Sequence, residues 1–163
     1  MGQYGMTPEY AQRMEKGLRF QDFAVMRLYE AGIPIVGLAS KRYQVGAGEN
    51  MNGFEIKFDD RMKDTGNVYI EVAEKTDAQN DGYVASGIYR NDNSWMYVIG
   101  DYSVIYICAK NHLRLVYERE KDRGCSSLAR FVETPTSKGM LLPQTYVEGQ
   151  LASKTLWTEG DRQ

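Results

Sequence analysis

Two stretches alternate apolar and charged residues at period two. They are Phe54-Glu55-Ile56-Lys57-Phe58-Asp59-Asp60 and Val68-Tyr69-Ile70-Glu71-Val72-Ala73-Glu74-Lys75. Such alternation predicts β-strands with one buried face and one open face. Asp64-Thr65-Gly66-Asn67 lies between them and carries a strong turn signal. The pair therefore predicts an antiparallel hairpin. Glu55, Lys57 and Asp59 share one face of its first strand, and Glu71, Ala73 and Lys75 share one face of its second. If the apolar faces of both strands coincide, Asp59 falls opposite Glu71, Lys57 opposite Ala73 and Lys75 opposite Glu55. Two facing carboxylates beside a lysine can hold a hydrated divalent cation against a phosphate. The simpler account is a solvated hairpin face with cross-strand ion pairs.

Around this pair the pattern predicts further elements. Thr7-Pro8-Glu9 reads as a helix start, with Gly32 as the stop. Phe20, Phe23, Ala24, Leu28 and Ala31 fall at helical spacing and form the face for the core. Residues 33–38 predict a buried strand, with Pro34 at its start. Residues 41–52 read as a loop or frayed strand, and 76–84 as a loop or short helix. The runs 94–99 and 103–109 predict a second hairpin across Gly100-Asp101. Residues 111–119 predict a short helix with Leu113, Val116 and Tyr117 inward. A turn at 136–139 leads to a short strand at 140–143. A closing helix is expected over 145–157, then a disordered tail at about 158–163. The order suggests one domain over residues 1–163, an α/β (α+β) chain with a mixed central sheet flanked by helices.

Composition narrows the function. The 163 residues are 42% hydrophobic and 26% charged, ordinary for a globular protein. No apolar run suits a membrane span, and the first residues suit neither a secretory signal nor myristoylation. Cys108 and Cys125 have no metal spacing, which fits a reduced, cytoplasmic protein. Cys108 is expected to be buried. A single histidine, His112, argues against zinc catalysis. The net charge of −2 is a poor global signature for nucleic-acid binding, so such binding must be local. Lys41-Arg42 and the run Lys110, His112, Arg114, Arg119, Lys121, Arg123 are the basic candidates.

The helix, then three strands with acids on the second and third, resembles the PD-(D/E)xK nuclease superfamily. Lys16-Gly17-Leu18-Arg19-Phe20-Gln21-Asp22, followed by Leu28 and Gly32, is similar in spacing to the first helix of the archaeal Holliday-junction resolvases, K-G-x-x-x-E with a later L and G. Ser86-Gly87-Ile88, Trp95-Met96-Tyr97 and Gly139-Met140-Leu141-Leu142-Pro143 look like segments of small phage and bacterial members. There are three departures. Gln21 stands at the helix glutamate, Phe58 precedes Asp59 in place of proline, and the E-x-K signature reads Glu71-Val72-Ala73.

The resemblance implies a restriction-endonuclease-like αβββαβ core. It also implies Mg²⁺- or Mn²⁺-dependent hydrolysis of DNA, including branched or processed ends, with a second copy of the chain as a further partner. Asp59, Glu71 and the carbonyl of Val72 would hold the metal, and Gln21 would hold a metal-bound water. By the hairpin register Lys57 replaces the missing lysine, with Lys75, paired to Glu55, as its rival. Two alternatives stand beside this reading. One is a nuclease-fold protein without catalysis that binds nucleic acid or a protein. The other is an unrelated α+β binding protein.

Overall fold

The computed structural model describes residues 8–75, 77–124 and 127–158. Thr7, the N-terminal segment before it, Cys125 and the tail beyond Thr158 lie outside the described residues. Helix α1 spans Pro8–Glu30 and α2 spans Lys41–Ala47. Strand β1 is Phe54–Phe58, helix α3 is Met62–Thr65 and β2 is Asn67–Glu74. Then come β3 at Val84–Ala85, a 3₁₀ turn at Gly87–Tyr89, β4 at Met96–Gly100 and β5 at Val104–Ala109. Helix α4 covers Lys110–Asp122, followed by β6 at Arg130–Glu133 and β7 at Ser137–Pro143. A short helix α5 at Gln144–Tyr146 and a π-turn at Val147–Leu151 lead into β8, Ala152–Trp157.

The fold is mixed α/β, as the pattern predicts, but its strands form two sheets. One runs β1-β4-β5-β8 and the other β3-β2-β7-β6. The first is mixed: β1 and β4 are parallel, with Phe54 beside Met96 and Phe58 beside Gly100, and its other pairings are antiparallel. The second is antiparallel throughout.

The expected β1–β2 hairpin is not formed. Both strands form as the alternation predicts, but they belong to different sheets. The expected register needs one core for both apolar faces, and the molecule has two. Ile56 packs with Phe20, Ala24, Leu28, Val98 and Ile107 beneath α1. Val68, Ile70 and Val72 join the other core, with Tyr106, Leu113, Val116 and Met140. Between the strands, Arg61 to Thr65 closes into a helical turn. Gly66 ends it at φ 66°, a left-handed conformation suited to glycine.

Other expectations change as well. The turn expected at 136–139 lies mostly within β7, which begins at Ser137. Residues 33–38 make only an isolated bridge, Gly37 to Asn50. The Asn52 amide serves this segment instead: its Oδ1 accepts from Val36 N at 2.7 Å and its Nδ2 donates to the Pro34 carbonyl at 3.0 Å. The stretch expected as a loop holds α2. The expected closing helix over 145–157 is helical only as far as Leu151, and Ala152–Trp157 form β8, which pairs with β5. Its neighbour Thr158, expected to be disordered, is tied to the Ser103 carbonyl by both its N–H and its hydroxyl, each at 2.9 Å. The second hairpin, the α4 helix with Leu113 and Val116 inward, and buried Cys108 stand as the pattern predicts. No helix among the described residues is long and apolar enough to cross a membrane.

Candidate functional site

Because β1 alternates, its odd residues leave the side opposite α1. That side is not solvated. Glu55 is 1% exposed and Lys57 is 31% exposed. Lys57 Nζ stands 3.1 Å from Glu55 Oε1 and 3.7 Å from Glu71 Oε1. On the other oxygen of Glu55, Lys110 Nζ approaches to 2.5 Å. Lys110 is as buried as Glu55, stands at the first position of α4, and also donates to Ser94 Oγ. Neither oxygen of Glu55 meets a partner in hydrogen-bond geometry; both are held by charge. Burial opposes the charge on Lys57. The carboxylates of Glu55, Glu71 and Glu49 outweigh it and hold the ammonium above the usual lysine range.

Glu71 comes to this point from the second sheet. Ser86 Oγ donates to its Oε1 at 2.7 Å and Ser137 Oγ to its Oε2 at 2.9 Å. The 3₁₀ turn that carries Ser86 presses directly on β2: a Cβ at Gly87 would lie 2.1 Å from the Glu71 carbonyl oxygen, so glycine is required there.

Glu49 completes the cluster. The Asn50 side chain bonds both backbone groups of Phe54 and fixes the loop that leads into β1. Gln21 on α1 donates from Nε2 to Glu49 Oε2 at 3.3 Å, and Arg90 lies 3.7 Å from Oε1. Burial pushes the Glu49 carboxyl up. Lys57 and Arg90 pull it down, while the charge of Glu55 adds to the rise.

The residues expected to form the site divide as follows. Lys57, Asp59 and Glu71 line one cavity of about 450 Å³, together with Tyr69, Tyr97 and Arg130. They meet there across the two sheets, not across a hairpin. Asp59 is held by the backbone: Tyr69 N donates to Oδ2 at 2.9 Å and Arg61 N to Oδ1 at 3.2 Å. Burial pushes its carboxyl up, against the pull of those two N–H groups. It thus pins the start of β2 to the end of β1. The Val72 carbonyl, expected to face a metal, accepts from Ser86 N at 3.1 Å. Lys75 does not pair with Glu55; its ammonium lies 4.5 Å from the Tyr83 ring centre, with Lys138 at 4.2 Å from the same ring.

Glu49 and Lys110 were not foreseen as site residues. The acid-x-lysine spacing absent at Glu71-Val72-Ala73 is present as Glu55-Ile56-Lys57, and Glu49 lies just upstream; nothing local to Lys110 marks it as a partner of Glu55.

Among the described residues no three His, Cys, Asp or Glu side chains are arranged to hold a metal ion. Pairs of carboxylates are available, and Mg²⁺ commonly takes one or two carboxylates, waters and substrate phosphate. The donors are hard oxygens and so suit such an ion in kind; both Glu55 oxygens rest on ammonium groups, which an ion bound there would have to displace. The chain matches no protein-family model, no curated protein and no solved structure.

Proposed function

We propose that this chain is a divalent-cation-dependent endonuclease that hydrolyses DNA phosphodiester bonds. The observation that carries the reading is the Lys57 ammonium held between Glu55 and Glu71 at the wall of a solvent-open cavity. Glu55 and Glu71 are the residues that would hold Mg²⁺ or Mn²⁺. The ion would supply Lewis acidity to the phosphate and to the attacking water. Lys57 would orient that water or meet charge developing on the phosphate. Lys110 and Ser94 fix Glu55, the two serines fix Glu71, and Gln21 orients Glu49. Asp59 positions the strands and is not assigned to the metal.

A second reading is favoured by one specific observation. Every acid of the cluster already has protein partners, which is how a binding protein that has lost catalysis would keep them. The two readings separate in one assay with linear, nicked, flapped and four-way DNA, each with Mg²⁺, Mn²⁺ or EDTA. The nuclease reading expects metal-dependent cleavage by the wild type. It expects a loss of about a hundredfold or more in Lys57→Met, the scale of removing one preorganised charge-stabilising group, with Lys75→Met cleaving as the wild type. Calorimetry with Mn²⁺ should show binding that weakens sharply in Glu71→Gln. Cleavage that survives Lys57→Met but is lost in Lys75→Met overturns the assignment. No cleavage of any substrate by the wild type leaves the binding protein.

A further inference from the structure

A second cavity, of about 480 Å³, opens beside the start of α4. Arg90, Lys110 and Arg114 line it together with one carboxylate, Asp92. Arg90 Nε lies 3.0 Å from Asp92 and Lys110 is paired with the buried Glu55, so Arg114 is the cation best placed to meet a ligand. Its wall also holds Trp95, which is 60% exposed.

That indole is fixed. Its Nε1–H donates to the Asn52 carbonyl at 2.9 Å. Its Cδ1 would lie 2.5 Å from a Cβ at Gly53, so the ring rests on bare backbone. The Phe54 ring meets it edge-on at 6.1 Å between centroids. A large aromatic ring held at its edge and open to solvent offers a flat π-system a stacking surface at little ordering cost. Near it, Arg114 Nε is bonded to the Ile88 carbonyl and its Nη1 to Asn111 Oδ1 at 3.2 Å. Those bonds fix the guanidinium plane at the cavity wall.

We propose that this cavity is a nucleotide-binding pocket, in which a base stacks on Trp95 and its phosphate meets Arg114 and Arg90. The pocket is tied to the acid cluster at two points: Arg90 lies 3.7 Å from Glu49, and Lys110 lies 2.5 Å from Glu55. A strand seated on Trp95 thus has its backbone led toward those acids; that link, unlike the pocket itself, rests on the hydrolytic reading above. A nucleotide within a single strand and a free nucleotide share this chemistry.

The test is binding in EDTA, where hydrolysis is switched off, by fluorescence anisotropy. The probe is a labelled oligothymidylate of about ten nucleotides, within the usual span of single-strand sites. The other arms are an abasic oligomer of equal length, thymidine monophosphate and inorganic phosphate. Trp95→Ala should weaken oligothymidylate binding about tenfold or more, the scale of one lost base stack, and Trp95→Phe should keep most of it. Thermal melts confirm that both variants fold. The abasic oligomer should bind the wild type no better than oligothymidylate binds Trp95→Ala.

Competition by thymidine monophosphate at lower concentration than the oligomer supports the pocket and identifies the free nucleotide as its ligand. Equal binding by wild type and Trp95→Ala overturns the proposal, as does competition by phosphate equal to that of the nucleotide. Cleavage without Trp95-dependent binding overturns the pocket alone. Trp95-dependent binding without cleavage overturns the hydrolytic reading alone.

Discussion

Phe54, Ile56 and Phe58 leave β1 on one side and meet α1, where Phe20 stacks on Phe58 with ring centres 4.8 Å apart. Glu55 and Lys57 leave it on the other and meet Lys110 and Glu71. Both faces are covered, yet they do different work. The first removes apolar surface from water, which stabilises the fold at roughly 25 cal/mol per Å². The second buries charges whose desolvation roughly offsets their attraction, so an apolar pair of similar volume would serve stability as well or better. One strand thus carries a face that accounts for folding and a face that folding does not require. That is the physical reason for seeking chemistry on the second.

The largest test breaks the charged face. Glu55→Leu leaves the wholly buried Lys110 without its carboxylate, and removing one partner of such a pair costs about 3–5 kcal/mol. Denaturant unfolding should show that loss. The double variant Glu55→Leu/Lys110→Met should recover most of it, since no unpaired charge remains at Lys110. A double variant as unstable as the single one would mean that the network itself stabilises the fold, and the contrast between the faces would collapse.

The apolar face should answer more mildly to a small change. Ile56→Val removes one methylene from a packed site and should cost about 0.5–1.5 kcal/mol. DNA binding in EDTA should stay unchanged. Altered binding at equal folding would show that the two faces are coupled.

The same two faces explain what could be read from the sequence. Period-two alternation marked β1 and β2, and helical spacing marked Phe20, Ala24 and Leu28, because burial on one side leaves a local pattern. Pairing is not local. Nothing between residues 58 and 68 signals that Val68, Ile70 and Val72 belong to a different core from Ile56, so the hairpin was the economical reading. Strand β8 was likewise hidden: none of its residues is fully buried, and it is held as a strand by pairing with β5, about fifty residues earlier. The site was half legible. Glu55, Lys57 and Glu71 stood out as charges on strands, while Glu49 and Lys110 lie in a turn and at a helix start. Only the tertiary fold closes them on β1.

The smallest expected effect concerns Glu49, at the border between the two faces, where α1 lends Gln21 to the acid cluster. Burial and the charge of Glu55 raise its carboxyl pKa in the folded chain. The folded state therefore holds that proton more tightly than the unfolded state. The resulting stabilisation is full below the ordinary glutamate range and is lost as pH rises through the raised folded value. Glu49→Gln has no such proton to lose. Its melting temperature minus that of the wild type should rise across this window, from about pH 4 toward neutrality, and then level off. Asp59 is also raised, but it titrates in both proteins and cancels in the difference. The attraction of Arg90 acts only on the ionised carboxylate and so opposes this slope; the net rise of the Glu49 carboxyl already includes it. Parallel melting curves for the two proteins would mean that Glu49 is solvated like an ordinary surface acid, and the buried cluster would shrink to Glu55, Lys57, Glu71 and Lys110.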